Sequence, residues 1–272
     1  MRKISFALVF IAVLSFGCQD KGQLETTSLY FYTPYQEAPE HLYGKLISVK
    51  EVNYWTIEKD GLLIRGNQVT QKDCDSLGIS SDYTAYFNEA GIPEKVDYMT
   101  YDWKVNTWKI EINENLIRKA SFYRGDTVRS YQLVEYDTNK RMTDAAAYWA
   151  HNDSLRYKVK FESGEKGEIE KVSYYNPTGT VLGVSYYKWN DKMQIVSTEF
   201  RNGKDSLLRS STAVYGENGF FSKIEYFDGT GAMENTLEMA YKTFDEKGNW
   251  LTGILSIKGK PIIFSTREYA YY

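Results

Sequence analysis

Few residues in this sequence are suited to metal binding or nucleophilic chemistry. The chain of 272 residues holds two histidines, His41 and His151, and two cysteines. Transition-metal sites draw on several His and Cys side chains together, and neither CxxC nor HExxH spacing occurs. Asp73 and Asp75 flank Cys74, and their charges disfavour the thiolate that a nucleophile requires. We expect a solvated loop at this position, and no metal or cofactor site.

Carboxylates for glycoside cleavage are the other catalytic group to consider. Such an enzyme needs two carboxyl groups about 5–9.5 Å apart in a cleft. The candidates alternate with apolar neighbours, which favours the wet face of a sheet; they are Glu225, Glu234, Glu238 and Glu268. The GxSxG, Walker A and GxGxxG motifs are absent. We predict that the protein is not an enzyme, with a glycoside hydrolase as the alternative.

The first residues predict export. Arg2 and Lys3 precede an uncharged, mostly apolar run at residues 4–16, which is too short to span a membrane as a helix. Residues 14–18 read Leu-Ser-Phe-Gly-Cys and resemble a bacterial lipobox. This resemblance implies a signal peptide over residues 1–17 and lipidation of Cys18. A plain secretory signal with an incidental cysteine is the alternative.

Lipidation would determine the location of the protein. Gln19 after Cys18 favours sorting to the outer membrane, on either its periplasmic or its surface-exposed face. Residues 18–41 are predicted to be a tether, and residues 42–272 one domain. The chain has a formal net charge of −3, which gives no electrostatic reason to bind nucleic acid. The predicted partners are the membrane, through the anchor at Cys18, and a protein or glycan ligand. With Cys18 acylated, Cys74 has no cysteine left to pair with.

A short aromatic-turn unit recurs through the domain. An aromatic pair leads into Asn or Asp, and most copies end on Gly; the copies are residues 86–91, 174–179, 226–231 and 243–248, with looser ones at 136–140 and 215–219. Asn, Asp and Gly at these positions are typical of tight turns between antiparallel strands. The unit therefore predicts a series of hairpins.

The segments between these turns alternate like strands. In residues 155–162, Leu155, Tyr157, Val159 and Phe161 share one face, and charged residues share the other. The same period predicts that Leu237 and Tyr241 are buried and that Glu238 is exposed. We predict an all-β fold: an elongated, curling antiparallel β-meander of repeated hairpins, forming an open sheet or a partial shell.

The repeated unit resembles the YD-repeat (Rhs-like) family, and also MORN-type repeats. The resemblance spans residues 42–272 and is carried by residues 42–50, 243–250 and 265–269, and by the Tyr136-Asp137 pair. It is similar to small Bacteroidota-type Rhs-like lipoproteins. Large members of the family form β-shells around a toxin cargo. At this length only the strand-turn repeat is carried over.

Four Asp-Ser or Asp-Thr pairs before an apolar residue resemble the O-glycosylation signal of Bacteroidota-type exported proteins. The predicted acceptors are Ser76, Thr127, Ser154 and Ser206. The alternative is that Asp and Ser simply close a turn before a strand.

These observations predict a non-catalytic lipoprotein of the cell envelope that acts as a binding or scaffold module. One alternative is a glycan-binding surface lipoprotein. It would need exposed, adjacent aromatic rings, and the candidates are Trp103, Trp108, Trp189 and Trp250.

Overall fold

The computed structural model describes residues 26–29, 40–77, 82–99 and 105–272. The predicted signal peptide, the lipidation site Cys18 and Trp103 lie outside these residues. No helix in the described parts is long and apolar enough to cross a membrane.

The described chain is almost entirely antiparallel strand, as predicted. The first elements are β1 Thr26–Leu29, β2 Glu40–Tyr43, β3 Leu46–Lys59, β4 Leu62–Gln68, α1 Gln71–Leu77, β5 Tyr83–Phe87, β6 Pro93–Met99, β7 Val105–Asn113, β8 Leu116–Arg124 and β9 Thr127–Tyr136. The others are β10 Met142–Trp149, β11 Leu155–Ser163, β12 Ile169–Tyr175, β13 Val181–Trp189, β14 Ile195–Asn202, β15 Leu207–Tyr215, β16 Phe221–Asp228, β17 Met233–Phe244, β18 Trp250–Ile257 and β19 Lys260–Tyr271. β1, which lies in the predicted tether, pairs with β2 in a separate sheet, and β2 crosses the predicted boundary between residues 41 and 42.

The main sheet closes on itself, so the predicted open sheet is wrong. Within the described residues, β3 and β5 to β19 form a closed barrel of 16 strands. Each strand pairs with its neighbour in sequence, and β19 returns to pair with β3 from Ile263 opposite Trp55 to Tyr271 opposite Leu46. Sequence alternation could not reveal this last pairing because the two strands lie at the two ends of the domain.

The repeated turns are confirmed, and they have one hydrogen-bond pattern. In the first, the Gly91 N–H donates to the Asn88 carbonyl (2.9 Å), and the Ile92 N–H donates to the Asn88 side chain (3.0 Å). The same side-chain acceptor role falls to Asp137, Asn176, Asn190, Asn202, Asp228 and Asp245. Position four has positive φ, which Gly adopts without strain. Lys140 replaces that glycine and still takes a φ of 62°.

Alternate hairpins lie at alternate ends of the barrel. We call the end at which residues 43–46 enter the ring the N-terminal end, and the other the opposite end. The turns at the N-terminal end include residues 114–115 and those that begin at Asn88, Asp137, Gly164, Asn190, Gly216 and Asp245. Those at the opposite end include residues 60–61, 125–126, 176–179, 202–205, 228–231 and 258–259.

The predicted strand faces are confirmed. Val159 and Phe161 are buried in the main core, while Lys158, Lys160 and Glu162 are exposed. Leu237 is likewise buried, Tyr241 packs against the core and Glu238 is exposed. The two faces of each strand are thus the interior and the outer surface of the barrel.

The segment predicted as a loop around Cys74 is instead the helix α1. Thr70 caps it: the Asp73 N–H donates to the Thr70 hydroxyl (3.3 Å), and the Asp73 carboxylate accepts from the Thr70 N–H (3.1 Å). This reciprocal pattern is a capping box. Val69, just before the helix, is buried with Ile263, and Leu77 packs against them.

Candidate functional site

The chain entering the barrel is fastened by one buried asparagine. Asn249, which is 0% exposed, follows the Asp245 turn. Its side-chain oxygen accepts from the Tyr43 N–H (2.7 Å), and its amide donates to the Tyr43 carbonyl (2.7 Å). Leu42 beside it is fully buried. The Asn249 side chain therefore binds both the N–H and the C=O of Tyr43, as a neighbouring strand would, and holds β2 in place.

Aromatic side chains complete this attachment. The Tyr43 hydroxyl donates to the Asn218 carbonyl (3.0 Å), and its ring meets Phe220 edge-on at 6.1 Å. Asn249 also donates to the Tyr271 hydroxyl (2.8 Å), which in turn donates to Asp245. Burial, and then the Asp245 hydrogen bond, raise the pKa of Tyr271 well above its usual range.

A buried ion pair lies where the barrel closes. Arg267 on β19 faces Glu51 on β3, with its Nη2 2.7 Å and its Nε 2.8 Å from the Glu51 Oε2 atom. The Tyr83 hydroxyl contacts both side chains. The guanidinium lies 3.9 Å from the ring centre of Trp250, a cation–π contact. This group links β3, β5, β18 and β19.

Polar side chains extend this seam toward α1. Asn53 accepts from the Ser265 hydroxyl (2.6 Å), and its N–H donates to Asp82 (2.8 Å). Gln68 donates to the other Asp82 oxygen. Burial raises the pKa of Asp82, although these hydrogen bonds act in the opposite direction. Since the carboxylates here are sequestered and hydrogen-bonded, the seam holds strands together and does not present reactive groups to solvent.

The four predicted glycosylation acceptors are all exposed. They are Ser76 on α1 and Thr127, Ser154 and Ser206, which begin or precede β9, β11 and β15. The last three share the opposite end of the barrel. Asp153 and Asp205 before two of them adopt positive φ in turns, so the turn-closing role is real. Glycosylation itself stays a prediction.

The candidate catalytic glutamates are not gathered in the barrel interior. Glu234, Glu238 and Glu268 are exposed, and Glu225 is half-buried. Glu225 lies 2.7 Å from Lys223, which lowers its pKa, and Glu268 lies 3.4 Å from Lys50. In the residues covered by the structure, no group of three or more His, Cys, Asp and Glu side chains is arranged to hold a metal ion.

The tryptophans that the glycan-binding alternative required on the surface are not exposed at the three positions that the structure describes. Trp108 and Trp250 are buried in the core, and Trp189 is half-buried with its indole N–H donating to the Ile169 carbonyl (2.8 Å). These rings point inward because their strands alternate with charged outer residues, such as Lys109 beside Trp108.

Two half-buried aromatic rings lie on the outer face of β9 and β10. Tyr131 and Tyr148 stack at 5.2 Å with 17° between their planes. The Tyr131 hydroxyl donates to Asp153 (2.9 Å), and Lys119 lies over its ring at 5.6 Å. Sequence reasoning missed this pair, although the alternation of β9 places Tyr131 on the outer face.

Comparison with known proteins identifies the fold only. No protein-family model and no curated protein matches the chain. A porin-like protein from Bacteroides uniformis has a similar structure, with a TM-score of 0.52, 10% identity, and coverage of 83% of this chain and 96% of that one. Weaker likenesses include a porin-like protein from Bacteroides vulgatus (TM-score 0.34, 10% identity, 84% of this chain and 99% of that one). Another is TcdB2-TccC3 (TM-score 0.31, 11% identity, 83% of this chain and 12% of that one). The first of these shows that a similar fold, over 83% of this chain, occurs in another protein.

Proposed function

We propose that this chain is a non-catalytic lipoprotein of the cell envelope, held in the outer membrane through Cys18, that acts as a scaffold or binding module. The observation that carries the proposal is the fastening of Tyr43 by Asn249. Any anchor that precedes residue 40 is thereby joined to one end of a closed, packed barrel.

Anchoring through Cys18 gives the barrel an orientation. Two or more acyl chains hold a protein firmly, because each buried methylene contributes about 0.8 kcal/mol. The chain between Cys18 and Glu40 then leads into the N-terminal end of the barrel. The opposite end, with its exposed turns, would face away from the membrane.

A non-catalytic role agrees with how the charged groups are used. Glu51 and Arg267 neutralise each other inside the wall, and Glu225 and Glu268 meet lysines on the outer surface. The YD-repeat resemblance supports an architectural role too, since its strand-turn unit recurs around the ring. We infer a small barrel built from that unit and carrying no cargo.

The test of the proposal is the anchor. Cys18→Ala should abolish metabolic labelling with radioactive palmitate and move the protein from the membrane to the soluble fraction. Cys74→Ala is the matched control and should leave both unchanged. Membrane attachment that persists without Cys18 would refute the lipid anchor.

Glycan binding is the second candidate function, favoured by the half-buried Tyr131–Tyr148 stack on the outer face. Sugar rings pack on exposed aromatic faces, while nearby Asp153 and Lys119 could bond to hydroxyls. Tyr148→Ala should remove signals on a glycan array. The control is Tyr186→Ala, because Tyr186 is an exposed tyrosine whose ring lies under Arg201. A blank array with the unaltered protein would exclude this function.

A further inference from the structure

One hairpin extends past the closed ring. β3 pairs with β19 only as far as Trp55, and with β5 only at residues 48–51. Its remaining residues pair with β4, through a two-residue turn at Asp60 and Gly61. We call residues 56–68 the arm. It lies at the opposite end of the barrel, past the last residues of β3 that pair with β5 or β19.

The arm exposes apolar side chains. Leu62, at 67%, is the most exposed of the large apolar residues in the described chain, with Ile57 at 45% and Leu63 at 37%. Ile57 lies opposite Ile64, so Ile57, Leu62 and Ile64 share one face. An isolated two-stranded hairpin is marginally stable in water, and a third strand would cover these side chains.

The outer edge of β4 can accept that strand. Among the described strands, β4 pairs only with β3. The residues flanking a two-residue turn form a hydrogen-bonded pair, here Lys59 and Leu62. The main-chain N–H and C=O groups of alternate residues of β4 point toward β3 and away from it. Those of Leu62 and Ile64 point toward β3, so those of Leu63 and Arg65 point away from it. Proteins usually protect such edges with charges, proline or covering elements, and Arg65 is the one charged side chain on β4.

From this geometry we propose that the arm is a docking site for an extended peptide strand of a partner protein, which pairs with the edge of β4. The strand should carry apolar side chains beside Leu62 and Ile64 and an acidic one beside Arg65. This recognition mode takes affinity from the main chain and specificity from alternate side chains. It gives the scaffold role a contact surface and rests on that proposed function.

A second copy of this chain is the weaker occupant. Antiparallel pairing of β4 with itself would point the N-terminal ends of the two barrels in opposite directions. Two copies anchored to one membrane would then turn opposite ends toward it, which disfavours this pairing. A strand from another protein has no such restriction.

The experiment uses the mature chain in detergent and a fluorescein-labelled peptide that alternates valine and threonine around one glutamate. Fluorescence anisotropy should show saturable binding. Arg65→Pro removes an outward N–H and keeps the bonds to β3, so it should weaken binding about tenfold relative to Arg65→Ala, the matched control. Hydrogen exchange should show that the peptide protects the Leu63 and Arg65 amides.

Three results of the binding and exchange experiments would overturn the inference. They are no binding of the peptide, equal losses in Arg65→Pro and Arg65→Ala, or unchanged exchange at Leu63 and Arg65. Sedimentation could also show that the unaltered chain forms dimers and that Arg65→Pro does not. That result would make a second copy of the chain the occupant and would refute the proposed partner. Soluble, unlipidated native protein would instead remove the envelope proposal and leave the measured peptide binding intact.

Discussion

Two antiparallel pairings in the barrel are held by opposite kinds of side chain. Across β16 and β17, Ile224 lies opposite Leu237, and both are buried apolar residues. Across β3 and β19, Glu51 lies opposite Arg267, and both are equally buried. The first pair of strands is joined by a short turn at Asp228, whereas the second joins residues 216 positions apart.

The difference shows what fixes strand register at each place. A hairpin turn sets the register locally, so apolar burial is enough to hold β16 and β17. At the closing seam no turn exists, and a slip of one residue would turn Arg267 outward and leave Glu51 buried without its partner. We infer that the ion pair selects the register, at a cost in desolvation that apolar residues would avoid.

Breaking the seam should have the largest effect. Arg267→Met leaves Glu51 buried without its cation and should lower the free energy of unfolding by roughly 3–5 kcal/mol in urea titrations. The double variant Glu51→Leu with Arg267→Met should recover most of that loss. If the double variant is as unstable as the single one, the ion pair does not account for the destabilisation.

The hairpin side of the comparison is tested at neighbouring positions on β17. Leu237→Asp buries a charge in place of an apolar side chain and should cost about 3–4 kcal/mol. Glu238→Ala, on the outer face, should change the melting temperature little. Equal melting temperatures would mean that the two faces of β17 are assigned wrongly.

Breaking the attachment of the N-terminal segment should have the third-largest effect on stability. Asn249→Ala removes both hydrogen bonds from the Asn249 side chain to the main chain of Tyr43 in a fully buried site. It should lower the free energy of unfolding by about 2–3 kcal/mol. Asn176→Ala, in an exposed turn of the same pattern, should cost less. A larger loss at Asn176, in the same unfolding assay, would show that the turn and not the fastening dominates.

The smallest effect concerns pH. The pKa of Asp82 is raised in the folded state, whereas in the unfolded chain it is about 3.9. As the pH falls, the folded state therefore binds this proton before the unfolded chain does. Relative to Asp82→Asn, the unaltered protein should gain stability as the pH falls through the raised pKa toward about 3.9. Asp228 is the opposite case, because the Thr230 hydroxyl lowers its pKa. Relative to Asp228→Asn, stability should be lost as the pH falls below about 3.9. Thermal melts of the three chains would show the two signs, and equal signs would contradict the assignment.

Local features of this fold could be predicted, and its closure could not. The turns at Asn88 or Asp228 follow from residue type, and the burial of Leu237 follows from alternation. Glu51 and Arg267 are charged, so alternation predicts that they lie on the solvent-exposed face. Their burial is favourable only because the two side chains pair with each other. The helix α1 was missed because it is short, although Thr70 and Asp73 have the spacing of a capping box.

The candidate site was predicted less well than the fold. Trp108 was a candidate surface ring only for the glycan-binding alternative, and Lys109 and Ile110 beside it already indicated an inward position. Tyr131 and Tyr148 form a pair only because β9 and β10 bring them opposite each other. The arm could not be predicted, since its exposure depends on where β19 and β5 stop pairing along β3.

The pairing of β3 with β19 has a consequence for synthesis. β3 leaves the ribosome before every other strand of the ring and β19 leaves last, so the first strand waits for its partner until the whole ring has been translated. Such distant pairing slows folding, and the proposed export would carry the chain across a membrane before the ring can form. A chain that stops before Ile263 would keep two open edges and should seek strands of other molecules. Quality control of this protein would therefore act mainly on shortened chains.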